Sequence, residues 1–164
     1  MQIIAHRGAS GTEPENTLRS FSRSLTMNID AIELDVHLTK DKKLVVIHDN
    51  SVKRTTNGKG YVKNLMFKQL RELNAGLDEK IPLLEEVFDL VNKKVMIHIE
   101  LKGTGTARPV AKLIEEYVKK GWWYNHFIIS SFKFKELEDF YKINKKVRLA
   151  VLFERNPNKY LKKR

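Results

Sequence analysis

The stretch AIELDVH, residues 31–37, alternates Ile32, Leu34 and Val36 with Glu33, Asp35 and His37. In a β-strand this period places three ionisable groups on one face and three branched apolar groups on the other. Residues 96–102, MIHIELK, repeat the pattern, with Met96, His98, Glu100 and Lys102 on one face and Ile97, Ile99 and Leu101 on the other. One such strand is explained by a sheet edge with a face in water. Two of them, in a chain where His6 and His48 also close short apolar runs, point instead to a shared polar site.

Working outward, runs rich in branched apolar residues at 3–5, 31–36, 44–47, 95–100, 127–130 and 147–153 read as strands. Helical spacing separates most of them, at 15–25 (Leu18, Phe21, Leu25), 83–91 (Leu84, Val87, Phe88, Val91), 110–118 and 135–141. Strands alternating with helices give parallel βαβ units, so the fold class is α/β. The turn-rich segments TTNGKG (55–60) and 76–82 make residues 50–80 the least regular part, placed to cover one end of a sheet. Too few residues separate Asp35 from His48 for a helical crossover. A hairpin turning at residues 40–43 would set His48 opposite Asp35, bringing an imidazole beside two carboxylates.

The length, 164 residues, suits one domain over 1–164 with a single sizeable core. With no cysteine, disulfides, thiolate metal sites and cysteine nucleophiles are excluded, and any metal must sit on His, Asp, Glu or carbonyl oxygen. The start MQIIAHRG lacks a basic segment followed by a long apolar one, and no window approaches the roughly 18 apolar residues of a membrane span. No transmembrane segment and a cytoplasmic location are the expectation. The net charge of +11 would attract nucleic acid, anionic lipid or a phosphorylated substrate alike. No recognition helix is evident and the carboxylate face repels phosphates unless metallated, so nucleic acid is not expected as a partner.

HRG at 6–8, ENT at 15–17, ELD at 33–35, HD at 48–49 and IELK at 99–102, in this order and spacing, resemble the glycerophosphodiester phosphodiesterase family. TTNGKG, IPLLEE (81–86) and SSF (130–132) resemble its connecting segments and next strand end. The resemblance implies a TIM (β/α)8-type barrel with the site at the C-terminal ends of its strands. It also implies metal ligation by Glu33, Asp35 and Glu100, acid–base catalysis by His6 and His48, and phosphate binding by Arg7 and Lys102. His98 stands where the family often has Asn and receives no role. Oxygen-only ligation favours Mg2+ or Ca2+ over Zn2+. The implied substrate is a small-molecule glycerophosphodiester, cleaved to an alcohol and sn-glycerol 3-phosphate. The nucleophile is either water or the substrate's own glycerol hydroxyl.

A (β/α)8 barrel is seldom shorter than about 200 residues, and the sequence offers six candidate strands. The expected fold is therefore an incomplete barrel, C-terminally short, whose open edges a truncation, missing residues or a homo-oligomer would explain. A catalytically silent fragment that binds phosphorylated ligands or a partner is the alternative function.

Overall fold

A computed structural model describes residues 1–154 of the chain. Along it run β1 (Ile4–His6), α1 (Leu18–Ser24), β2 (Ala31–Leu38), β3 (Leu44–Val46), α2 (Phe67–Glu72), α3 (Leu84–Val91), β4 (Met96–Leu101), α4 (Ala107–Lys119), β5 (Phe127–Ser131), α5 (Phe134–Ile143) and β6 (Arg148–Val151). Each strand lies within two residues of the bounds its apolar run predicts. The short helix α2 is unforeseen: it sits among turn residues that mask its six-residue pattern.

Five strands form a parallel sheet in the order β1-β2-β4-β5-β6, and β3 pairs antiparallel with β2. Val36 pairs with Leu101 of β4 and with Val46 of β3, so β3 occupies the β2 edge that β1 leaves after His6. Both carboxylate-bearing strands are interior, which removes the water-facing edge strand as their explanation. The outer edges of β1 and β6 have no strand partner among the described residues.

Alternation sorts the side chains. Ile32, Leu34, Val36, Ile97, Ile99 and Leu101 are fully buried against helices, in one cluster with Phe21 of α1, Phe88 of α3, Ile114 of α4 and Phe140 of α5. Fully burying each such side chain contributes about 1.5–3 kcal/mol. In β3, Val46 joins this core, whereas its neighbour Val45 faces the other way and builds a second cluster with Ile47, Val52, Val62, Leu70, Ala75 and Ile81. The irregular segment is thus held by apolar contacts of its own. Its Tyr61, Lys63 and Asn64 line one cleft together with Lys102 and Phe132, which follow β4 and β5.

The β2–β3 turn corrects the expected register. Thr39 closes against Lys43 (Thr39 N–H to Lys43 O, 3.0 Å), with Lys42 in the left-handed region at φ 63°. Thr39 Oγ1 accepts from Lys43 N–H (2.9 Å) and donates to Asp41 (2.7 Å). The loop is one residue wider than a turn at 40–43, so Val36 faces Val46 and the ladder aligns Asp35 with Ile47, not His48.

The start of α4 is capped from another helix. Thr106 is fully buried and makes no side-chain cap; the buried Glu136 of α5 accepts from Gly105 N–H (2.6 Å) and Ala107 N–H (3.0 Å). A carboxylate there satisfies orphan donors and complements the helix dipole. Glu136→Ala is expected to cost about 2–3 kcal/mol, read as a lower urea midpoint at unchanged m-value; an unshifted midpoint would refute the capping role.

Candidate active site

Register brings the ionisable faces together. His6 pairs with Glu33 and Glu33 with His98; one step on, Asp35 pairs with Glu100 and Glu100 with Ser130. Partners in parallel strands point the same way, so two rows of polar side chains line the sheet's inner face. Glu33, Asp35 and Glu100 are 8%, 1% and 7% exposed. One carboxylate oxygen from each lies within 4.8 Å of the others.

Loops at the strand ends surround this cluster. After β1, Arg7 turns into the left-handed region (φ 57°) and its N–H donates to Glu33 Oε2 at 3.1 Å. Its guanidinium Nε stands 3.5 Å from Asp35 Oδ2, and Nη1 donates to Glu15 at 3.1 Å. Gly8 follows at φ 76°, where a Cβ would meet the Ser20 backbone at 2.8 Å, so HRG needs its glycine for close passage over α1. In ENT, Asn16 Nδ2 donates to Asp35 Oδ2 (2.9 Å), and Thr17 caps α1 by accepting from Ser20 N–H (3.2 Å). His6 Nε2 lies 3.8 Å from Glu33, and Lys102 Nζ lies 3.2 Å from Glu100 and 3.9 Å from Asp35.

His48 reaches the site despite the shifted register, because it follows directly on Ile47, whose N–H makes a backbone bond to Asp35 O of β2 (2.9 Å). Its carbonyl lies 3.1 Å from His37 Nε2, and its Nδ1 lies 2.6 Å from Asp49 Oδ1. His48 shares with Glu100, Lys102 and Phe132 the wall of a cleft of about 1160 Å3. All seven residues singled out by the sequence therefore gather at one end of the sheet. Asn16, Asp49 and Arg54 join them without having been assigned a role. Asn16 and Asp49 lay inside quoted motifs, while Arg54 had no periodic signal to mark it.

The sequence profile described as the glycerophosphoryl diester phosphodiesterase family matches residues 6–164. The chain belongs to this family. It is 40% identical over 165 residues to the glycerophosphodiester phosphodiesterase of Caldanaerobacter subterraneus, covering 93% of this chain and 66% of that protein. Its structure resembles the Agrobacterium tumefaciens glycerophosphodiester phosphodiesterase (TM-score 0.83, 29% identity, 91% of this chain and 65% of that one). It equally resembles an Oleispira antarctica phosphodiesterase solved with its product sn-glycerol-3-phosphate (TM-score 0.83, 30% identity, 92% and 65%). The chain thus spans about two thirds of the length of these relatives, and its six-stranded sheet is that part of a glycerophosphodiester phosphodiesterase TIM barrel. Among the described residues, no helix is long and apolar enough to cross a membrane.

In this glycerophosphoryl diester phosphodiesterase family member, the carboxylates are electrostatically frustrated. Burial, with the neighbouring Asp35 and Glu100 charges adding, pushes the Glu33 carboxyl up to about 8, against the opposing effect of Arg7. Burial also raises Glu100, opposed by Lys102. Asp35 Oδ1 is buried without a hydrogen-bond partner. Three hard oxygen donors, one of them an orphaned acceptor, fit a divalent cation held by Glu33, Asp35 and Glu100.

The pH dependence follows. Glu33 starts from an ordinary value of 4.5, so between there and about 8 the folded chain retains a proton that the unfolded chain releases. Stability without metal must fall as pH rises through that window. Since a cation needs the carboxylate form, its stabilising effect must grow across the same range. Thermal unfolding in chelator should show Glu33→Gln gaining on the wild type from about pH 5 to 8.5, while added cation raises the wild-type Tm more at pH 8 than at pH 6. A cation effect of equal size at both pH values would refute the assignment.

Proposed function

We propose that this chain hydrolyses glycerophosphodiesters to an alcohol and sn-glycerol 3-phosphate, with Mg2+ or Ca2+ on Glu33, Asp35 and Glu100. The supporting observation is the convergence of those buried carboxylates with Arg7, Lys102 and His6, next to a cleft that His48, Glu100 and Lys102 line. The Oleispira antarctica relative holds the product named here.

A phosphodiester carries a negative charge that repels nucleophiles, so the site must supply positive charge before chemistry begins. Arg7, held between Glu15 and Asp35, and Lys102, held beside Glu100, do so at fixed positions. A bound divalent cation would add charge neutralisation at the phosphoryl oxygens and polarise phosphorus. His6 and His48 divide the proton work, one taking a proton from the attacking oxygen and the other giving one to the departing alkoxide. Burial and the adjacent Arg7 lower the His6 pKa, keeping that imidazole neutral and able to accept a proton near pH 7.

Release of sn-glycerol 3-phosphate from glycerophosphocholine and glycerophosphoethanolamine should require Mg2+ or Ca2+ and stop with chelator. His6→Ala and His48→Ala should each lower kcat by about 10²- to 10⁴-fold with cation binding retained in calorimetry, whereas Glu33→Ala loses both. Cation-dependent phosphate binding without turnover would instead support a binding role. Absence of hydrolysis and of cation binding would overturn the proposal.

A further inference from the structure

Arg54 lies in the connection after β3, and none of the chemistry above uses it. Its guanidinium donates to both oxygens of Asp49, through Nε to Oδ2 (2.7 Å) and through Nη2 to Oδ1 (3.1 Å). It also donates to both oxygens of Glu15, through Nη1 to Oε2 and through Nη2 to Oε1, each at 2.8 Å. Asp49 Oδ1 is the atom facing His48 Nδ1 at 2.6 Å. One fork therefore joins carboxylates from the β1–α1 loop and the segment after β3, and one of those carboxylates touches a proposed proton carrier.

The nitrogen of an imidazole that carries the proton is set by the bond its other nitrogen makes. An ionised Asp49 accepts from His48 Nδ1–H and leaves Nε2 as the exchanging atom. Asp49 is 30% exposed at its side chain and needs a second restraint to stay in that orientation. Arg54 supplies it, and the same contact holds Asp49 well below the usual carboxylate range, with His48 adding. Glu15 anchors the far side of the fork. Exposed ion pairs typically contribute only about 0–1 kcal/mol; a guanidinium bidentate on two carboxylates is a more constrained device.

We propose that Arg54 is a positioning residue that clamps Asp49 against Glu15 and thereby fixes the Nδ1-protonated tautomer and orientation of His48. This rests on His48 acting as a proton carrier.

The test compares the wild-type chain with Arg54→Ala, Arg54→Gln, Arg54→Lys, Asp49→Asn and the Arg54→Ala/Asp49→Asn double variant. Nitrogen-15 NMR of the His48 ring should show the Nδ1–H tautomer in the wild type and a mixture in Arg54→Ala and Arg54→Gln. The value of kcat should fall by about 10- to 100-fold, the usual effect of losing such a supporting contact, with KM and cation affinity changing less than about threefold. Arg54→Lys, which keeps the charge and loses the fork, should not recover the wild-type kcat, and Arg54→Ala should add nothing to Asp49→Asn. An unchanged tautomer, full rescue by lysine, or additive losses in the double variant would each overturn the clamp. A wild type inactive on every glycerophosphodiester would refute the proposed function, while the tautomer measurement would still test the clamp.

Discussion

Three carboxylates packed within a few ångströms of one another, out of water, repel each other and forfeit hydration. Glu33, Asp35 and Glu100 are in this state, and the surrounding structure is arranged to tolerate it. Arg7 and Lys102 stand against them, Asn16 and the Arg7 N–H donate to them, and the remaining charge imbalance is what a divalent cation would neutralise. Gathering three like charges out of water costs stability, so keeping carboxylates there fits function better than folding.

The frustrated row is borne by the two interior strands β2 and β4. β2 and β4 are flanked on both edges, and their outward faces are locked into the core by Ile32, Leu34, Ile97 and Ile99. Because side-chain direction in a strand is tied to backbone pairing, fixing the apolar face fixes the polar one. The loop residues around them are held differently. Arg7, Glu15, Asn16, Asp49 and Arg54 come from strand ends and connections, where position depends on side-chain hydrogen bonds instead of ladder register.

Two apolar clusters divide this labour. The large one supports the carboxylate strands, and the smaller one, built around Val45, Ile47 and Val52, anchors the segment that carries His48, Asp49 and Arg54. Alternation within β3 alone decides which cluster receives each residue, so three consecutive residues link the core to the part of the site outside the parallel sheet.

The sequence by itself determined the strands, the α/β class and the polar faces at 31–37 and 96–102, because a period of two is local and survives without any knowledge of partners. Its motifs also marked all seven residues that the fold gathers. Only the tertiary structure decided the parallel register that aligns Asp35 with Glu100, the widened Thr39–Lys43 turn that displaces His48 from the expected pairing, and the small helix α2. It alone placed Arg54 between Glu15 and Asp49, since that contact joins residues 39 and 5 positions apart. Such contacts depend on chain paths and side-chain reach, which no local periodicity records.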